Sequence, residues 1–159
     1  MPKNKILITG SAGFIGFHLS KYFLDKKFEV VGIDNLNNYY DKKLKLKRNS
    51  ILRKYKKYKF YRTDIKNKKK IFEIFKNNKF KLVINLAAQA GVQYSIKNPY
   101  VYAETNIFGF INILEACKKY HVKKILYASS SSIYGSNKNY PFKEDHKTDN
   151  PISLYAATK

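Results

Sequence analysis

The sequence predicts an α/β fold, a doubly wound parallel sheet with helices on both faces. Three observations carry the prediction. Short apolar runs alternate strictly with segments of helical period along the whole chain. Gly10, Gly13 and Gly16 follow the first run directly and open the first helical segment. The second run ends on an acid, Asp34. A β-α-β-α alternation makes a parallel sheet, because each helical crossover brings the chain back to start its next strand in the same direction. The expected strand order is 3-2-1-4-5, with a ligand crevice at the switch point between the first and fourth strands.

Taken in order, Lys5 to Thr9 (KILIT) is a short apolar run that stops at glycine and reads as a buried strand. Phe17 to Lys27 is a helix with Leu19, Tyr22 and Phe23 at helical spacing and Phe28 beyond them. Glu29 to Ile33 is the second strand. The basic segment beginning near Asp41 is a helix whose Leu44, Ile51, Leu52 and Tyr55 roughly follow one face. Phe60 to Arg62, leading to Asp64, is the third strand, and Lys68 to Lys76 is a helix burying Ile71, Phe72 and Phe75. Leu82 to Leu86 is the fourth strand. Pro99 suits the first turn of a long helix reaching about Tyr120, with Tyr102, Ile107, Phe108, Ile111, Leu114 and Ala116 available for burial. Lys124 to Ser129 is the fifth strand. Tyr134 to Asn150 is polar and turn-rich, and Ser153 to Lys159 begins one more helix. No repeat, low-complexity stretch or internal boundary interrupts the series.

Composition excludes several classes. The chain has 159 residues, 44% of them hydrophobic and 16% aromatic, which suits one globular domain. Cys117 is the single cysteine, so no internal disulfide forms, and His18, His121 and His146 are too scattered for a zinc site. No metal is expected. The chain enters Ile6-Leu7-Ile8 without the architecture of a secretory leader, and no apolar run reaches membrane-spanning length. The expectation is a soluble cytoplasmic protein with no membrane partner. The formal charge of +21 is extreme and raises the question of a polyanion. The lysines, however, are spread over nearly every segment, and no recognition motif or aromatic platform accompanies them. Compositional drift, with abundant Lys, Asn, Ile and Tyr, is the favoured account, and nucleic acid is not expected as a partner. A positive field would also draw in an anionic small-molecule ligand.

Glycine at 10, 13 and 16 allows a tight turn and lets the backbone approach a pyrophosphate, while the helix beyond offers unpaired N–H groups to the anion. Asp34 stands where an acid accepts hydrogen bonds from ribose hydroxyls, and its charge would repel a 2′-phosphate. The expected cofactor is therefore NAD rather than NADP. As an alternative, Asp34 is a helix cap or a turn residue. Tyr155 and Lys159 lie one helical turn apart, on one face. An ammonium beside a phenol lowers its pKa from about 10 and makes it usable as a base.

The spacing in TGSAGFIG resembles that of the extended short-chain dehydrogenase/reductase family, and the resemblance runs the length of the chain. It implies a Rossmann-type nucleotide-binding domain over residues 1–159. It adds Phe14 and Ile15 of the glycine loop, and Asn35 and Asn38 after Asp34, to the cofactor contacts. Asp64 and Ile65 resemble the pair that touches adenine. Leu86, Ala87 and Ala88 resemble the segment lying against the cofactor, and Asn106 matches an asparagine that helps order the site. Turn capping by Asp64 and simple packing by the alanines remain as alternatives. Tyr155 and Lys159 match the catalytic pair, which also binds the cofactor. Aligned on Tyr134-Gly135, Ser130 matches the catalytic serine or threonine, with its neighbouring serines leaving that assignment open by one position. Dehydratases of the family carry a glutamate, sometimes preceded by an aspartate, where this chain has Ser132 and Ser131. That favours simple epimerisation. The segments Asp34 to Asp41, Ala87 to Val92 and Ser153 to Lys159 resemble those of UDP-glucuronate 4-epimerases, with Gln93 replacing a common arginine. The resemblance implies a UDP-sugar substrate, a 4-keto intermediate and a homodimer. UDP-galactose 4-epimerase is the alternative, and a non-catalytic NAD-binding sensor is the alternative of another class. Because family members are about twice as long, the expectation is an N-terminal part of an enzyme, ending at its catalytic lysine before the last strands and the sugar-binding domain. It would be inactive alone, with its fifth strand left as an exposed edge.

Overall fold

The computed structural model describes residues 4–159. Five strands, β1 (Lys5–Thr9), β2 (Glu29–Asp34), β3 (Tyr58–Arg62), β4 (Leu82–Asn85) and β5 (Ile125–Tyr127), form one sheet in the order β3-β2-β1-β4-β5. Every pairing is parallel. The helices are α1 (Phe14–Asp25), α2 (Lys42–Leu52), α3 (Lys68–Lys76), α4 (Val92–Lys97), α5 (Pro99–Tyr102), α6 (Phe110–Lys119) and α7 (Leu154–Ala157), with a π-helical stretch, Ala103–Gly109, joining α5 to α6.

Alternation along β1 explains the two-sided core. Ile6 and Ile8 point to one face and pack with Leu24, Val30, Leu52 and Ile84. Leu7 points to the other and packs with Val31, Ile71, Phe75, Val83 and Ile113. All three β1 side chains are sealed from solvent, as a strand covered on both faces requires. Each such aliphatic side chain contributes about 1.5–3 kcal/mol through burial.

The expected faces are met in part. In α1 Leu19 and Phe23, with Phe28 beyond, pack against the core beside the buried Gly16, Ser20 and Leu24, while Tyr22 is 56% exposed. In α2 Leu44 lies outward, and Lys45, Asn49 and Leu52 face inward. Polar partners make that orientation workable: Lys45 Nζ donates to Asn37 Oδ1 at 2.6 Å. In α3 Ile74 joins Ile71 and Phe75 in the core, and Phe72 packs against them partly buried.

The expected long helix does start at Pro99 and ends at Lys119, but its middle winds as a π-helix. Tyr102, Asn106, Gly109, Ile113 and Ala116 are buried, leaving Ile107, Phe108, Ile111 and Leu114 exposed. Gly109 sits where a Cβ would lie 2.7 Å from Ile65, so no side chain fits there without displacing the core. α4, which the periodicity did not announce, precedes that helix. β5 is shorter than expected and forms an edge of this sheet, with Leu126 and Tyr127 exposed.

Candidate functional site

The site lies along the carboxyl edge of the sheet. β1 ends at Thr9 and the chain turns at Gly10, whose φ of +67° suits glycine. A Cβ at Gly10 would also press within 3.0 Å of the backbone at Leu86 and Ala87. Gly13 N donates to Gly10 O at 3.0 Å, closing the turn, and α1 starts at Phe14 with no side-chain cap on its first N–H groups. Those donors are left for an anion. Phe14 and Ile15 are exposed at the mouth of the turn.

Asp34 is buried at the end of β2. Its Oδ2 accepts from Ala12 N at 3.1 Å and its Oδ1 from Leu36 N at 2.8 Å. It therefore fixes the glycine turn as well as its own loop, and each oxygen keeps a further lone pair for a hydroxyl donor. Ser11 N donates to Ile33 O, a second tie between turn and strand. Gly32 makes room for Tyr58, whose hydroxyl donates to Ser11 Oγ at 3.2 Å.

Asn35 Nδ2 donates to Asp64 Oδ2 at 2.9 Å, and Asp64 Oδ1 accepts from Lys66 N at 2.9 Å. Asp64 thus does hold a turn, and it also braces the loop beside Asp34. Ile65 is a core residue, so its side chain is not open to a ligand. Asn38 is exposed on the loop.

Beyond β4, Thr9 governs the path. Its Oγ1 donates to Asn85 Oδ1 at 2.7 Å and accepts from Leu86 N and Ala87 N at 3.1 and 3.0 Å. Leu86 and Ala87 are thereby drawn against the glycine turn, with Ala88 exposed above them. Asn106 is buried in the π-helical stretch. It accepts from Gln89 N at 2.7 Å and donates to Gln89 O and Thr158 Oγ1, each at 3.0 Å. Its amide is spent on the protein, so it acts by joining the loop after β4 to the tyrosine helix rather than as a ligand group. A π-helical turn at a functional site is a recurrent device.

Tyr155 lies in α7, capped by Ser153, whose Oγ accepts from Ala156 N at 3.0 Å. Tyr155 N donates to the buried Ser95 Oγ at 3.3 Å, and its ring meets Tyr102 edge-on at 6.0 Å. No hydrogen bond engages its hydroxyl among the described residues. Lys159 Nζ donates to Ala128 O at the end of β5, and Ser129 Oγ donates to Lys159 O at 3.2 Å. Lys159 therefore reaches the backbone beside Ser130 and is not hydrogen-bonded to the Tyr155 phenol. Burial lowers its pKa from the usual lysine value. Ser130 caps the 3₁₀ turn Ser131–Tyr134, accepting from Ser132 N at 3.2 Å, which leaves its own O–H to donate elsewhere.

The structure thus brings Ser130, Tyr155 and Lys159 to one end of the sheet edge that also carries the glycine turn and Asp34. Sequence reasoning missed Thr9, Ser95 and Tyr102. Thr9 alone had a signal, its place between strand and glycine; the others act through contacts distant in sequence. Gln89 Nε2 is buried with no hydrogen-bond partner among the described residues, an orphan polar atom in the loop beside the crevice. Among the described residues no group of His, Cys, Asp and Glu is suited to a metal, and no helix is long and apolar enough to cross a membrane.

Comparison with known proteins agrees with this layout. The family model described as GDP-mannose 4,6 dehydratase matches residues 7–159. A UDP-glucuronate 4-epimerase of Thermodesulfobacterium geofontis is 47% identical over 96% of this chain and 47% of its own length. The structure of UDP-glucuronic acid 4-epimerase from Bacillus cereus with UDP-glucuronic acid and NAD superposes with a TM-score of 0.86 at 35% identity, covering 98% of this chain and 48% of that one. The UDP-Glc/GlcNAc 4-epimerase of Campylobacter jejuni superposes with a TM-score of 0.89 at 28% identity, covering 98% and 46%. The chain spans about half the length of these relatives.

Proposed function

The chain belongs to the family of GDP-mannose 4,6 dehydratase, and on that footing we propose that it is the NAD-holding domain, residues 1–159, of a sugar-nucleotide 4-epimerase acting on UDP-glucuronate. The residues present fit that cofactor. The glycine turn is a cradle that side chains would fill, and the open first turn of α1 faces the same space. Asp34 retains acceptor capacity for ribose hydroxyls and would repel a 2′-phosphate. Asn35, Asn38, Asp64, Leu86, Ala87 and Ala88 complete the wall, with Asn106 bracing it.

When bound, NAD would supply a reversible hydride acceptor for C4 of the sugar. Tyr155 would act as the general base that takes the proton of the sugar O4. Ser130 donates a hydrogen bond to the same oxygen. Lys159, which donates to Ala128 O at the end of β5, would supply the positive charge that favours phenolate at Tyr155. Tyr155 would later return the same proton to O4, so that the chain ends each cycle in its starting protonation state.

The observation that carries epimerisation over dehydration is the 3₁₀ turn after β5. Ser131 and Ser132 offer no carboxyl group there to assist loss of water. UDP-glucuronate is preferred for the likeness of the Asp34–Asp41, Ala87–Val92 and Ser153–Lys159 segments to enzymes of that name and for the Thermodesulfobacterium and Bacillus relatives. The second reading, a neutral UDP-hexose substrate, is favoured by Gln93, an uncharged residue where the glucuronate enzymes commonly carry arginine, and by the Campylobacter likeness. The test is to assay the active enzyme with UDP-glucuronate and UDP-glucose side by side, resolving the C4 epimers. A higher kcat/KM on UDP-glucuronate is expected. A clear preference for UDP-glucose moves the substrate to the neutral sugar.

A further inference from the structure

Tyr39 lies on the loop between β2 and α2, yet its hydroxyl donates to the carbonyl of Ala90, beyond β4, at 2.8 Å. β1 separates β2 from β4 in the sheet. A contact between their carboxyl-end loops therefore crosses the end of β1, where the glycine turn lies. Both ends of this crossing are secured. On the β2 side, Leu36 N donates to Asp34, Asn35 Nδ2 to Asp64, and Lys45 Nζ to Asn37, and Asp41 caps α2 by accepting from Lys43 N at 2.7 Å. On the β4 side, Tyr102 donates to the same Ala90 carbonyl at 2.6 Å, and the Tyr39 ring packs on Tyr94 at 4.9 Å. Gly91 has a φ of +99°, and a Cβ there would stand 2.9 Å from the Tyr39 hydroxyl. Glycine is what leaves room for the contact.

We propose that residues 35–41 form a strap across the diphosphate of bound NAD and that Tyr39 is its clasp, a positioning residue that slows cofactor release. The inference rests on the NAD reading above. It also suits that chemistry, because a cofactor regenerated in each cycle has no need to exchange. The strap is anchored at Asp34 independently of Tyr39, so opening the clasp frees the middle of the cofactor without dismantling the ribose end.

Tyr39→Phe keeps the ring against Tyr94 and removes only the hydroxyl. In the full chain, NAD release followed by stopped-flow fluorescence should be about fivefold faster in Tyr39→Phe, the scale of one net hydrogen bond. Thermal melting should be unchanged. Gly91→Ala should also speed release, and the double variant should be no faster than the faster single one. AMP, which reaches only the adenosine end, should leave both proteins at the same rate; a loosened Asp34 loop would instead release AMP faster as well. If the unsubstituted chain binds NAD and Tyr39→Phe releases it at the same rate, or if AMP release accelerates equally, the clasp is overturned and the cofactor reading stands. If the unsubstituted chain binds no NAD, the cofactor reading falls and takes the strap with it.

Discussion

Tyr155→Phe in the active enzyme is expected to lower epimerase turnover by about 10²–10⁴-fold, the usual worth of a positioned general base. The fold and bound cofactor should be untouched. What places Tyr155 is its backbone and ring: Ser95 Oγ accepts its N–H, Ser153 caps its helix, and Tyr102 meets its ring edge-on. The hydroxyl has no protein partner to lose among the described residues, so its removal deletes chemistry and not structure. Turnover should fall through kcat with little change in KM, because the loss is felt only as the proton moves. Turnover within a few-fold of the parent would remove Tyr155 from the base role.

The second large effect belongs to Gly16. A Cβ there would lie 2.1 Å from Gly10 O, 2.8 Å from Gly10 C and 2.9 Å from Ser11 Cα. All three are backbone atoms of the turn and cannot swing aside like the tip of a side chain. Gly16→Ala must therefore open the turn. Overpacking of about 1–3 kcal/mol corresponds to about a five- to 150-fold loss of NAD affinity if the strain falls on the site. Gly13→Ala should be milder, since its Cβ would approach only Gly10 O, at 3.1 Å. Titration of NAD into both variants reads the order. A Gly13 effect larger than that of Gly16 would contradict this account of the turn.

The features legible in the sequence are those that leave a local signature. Strand order followed from the β-α alternation, and the glycine turn and Asp34 from their places at strand ends. Faces read from apolar spacing alone were less secure. In α2 the inward positions include Asn49 and Lys45, the latter donating to Asn37, a pairing that no hydrophobic pattern records. In the helix after Pro99, apolar residues lie on both faces, so periodicity could not say which face meets the sheet. Within the π-helical stretch Asn106 holds Gln89 and Thr158, and the Tyr39–Ala90 bond joins residues 51 apart. Such contacts exist only once the fold has formed. Asp34 illustrates the same limit, because its place at the end of the second strand was readable and its hold on Ala12 was not.

The central claim is that this chain is built to hold NAD, with Asp34 at the ribose. Calorimetric titration of NAD and NADP into the chain and into Asp34→Asn tests it most directly. NAD is expected to bind the parent more tightly than NADP by about tenfold or more, since a 2′-phosphate would be set beside a buried carboxylate. Asp34→Asn should weaken NAD and narrow the difference. NADP binding as tight as NAD, or no binding of either, would contradict the account.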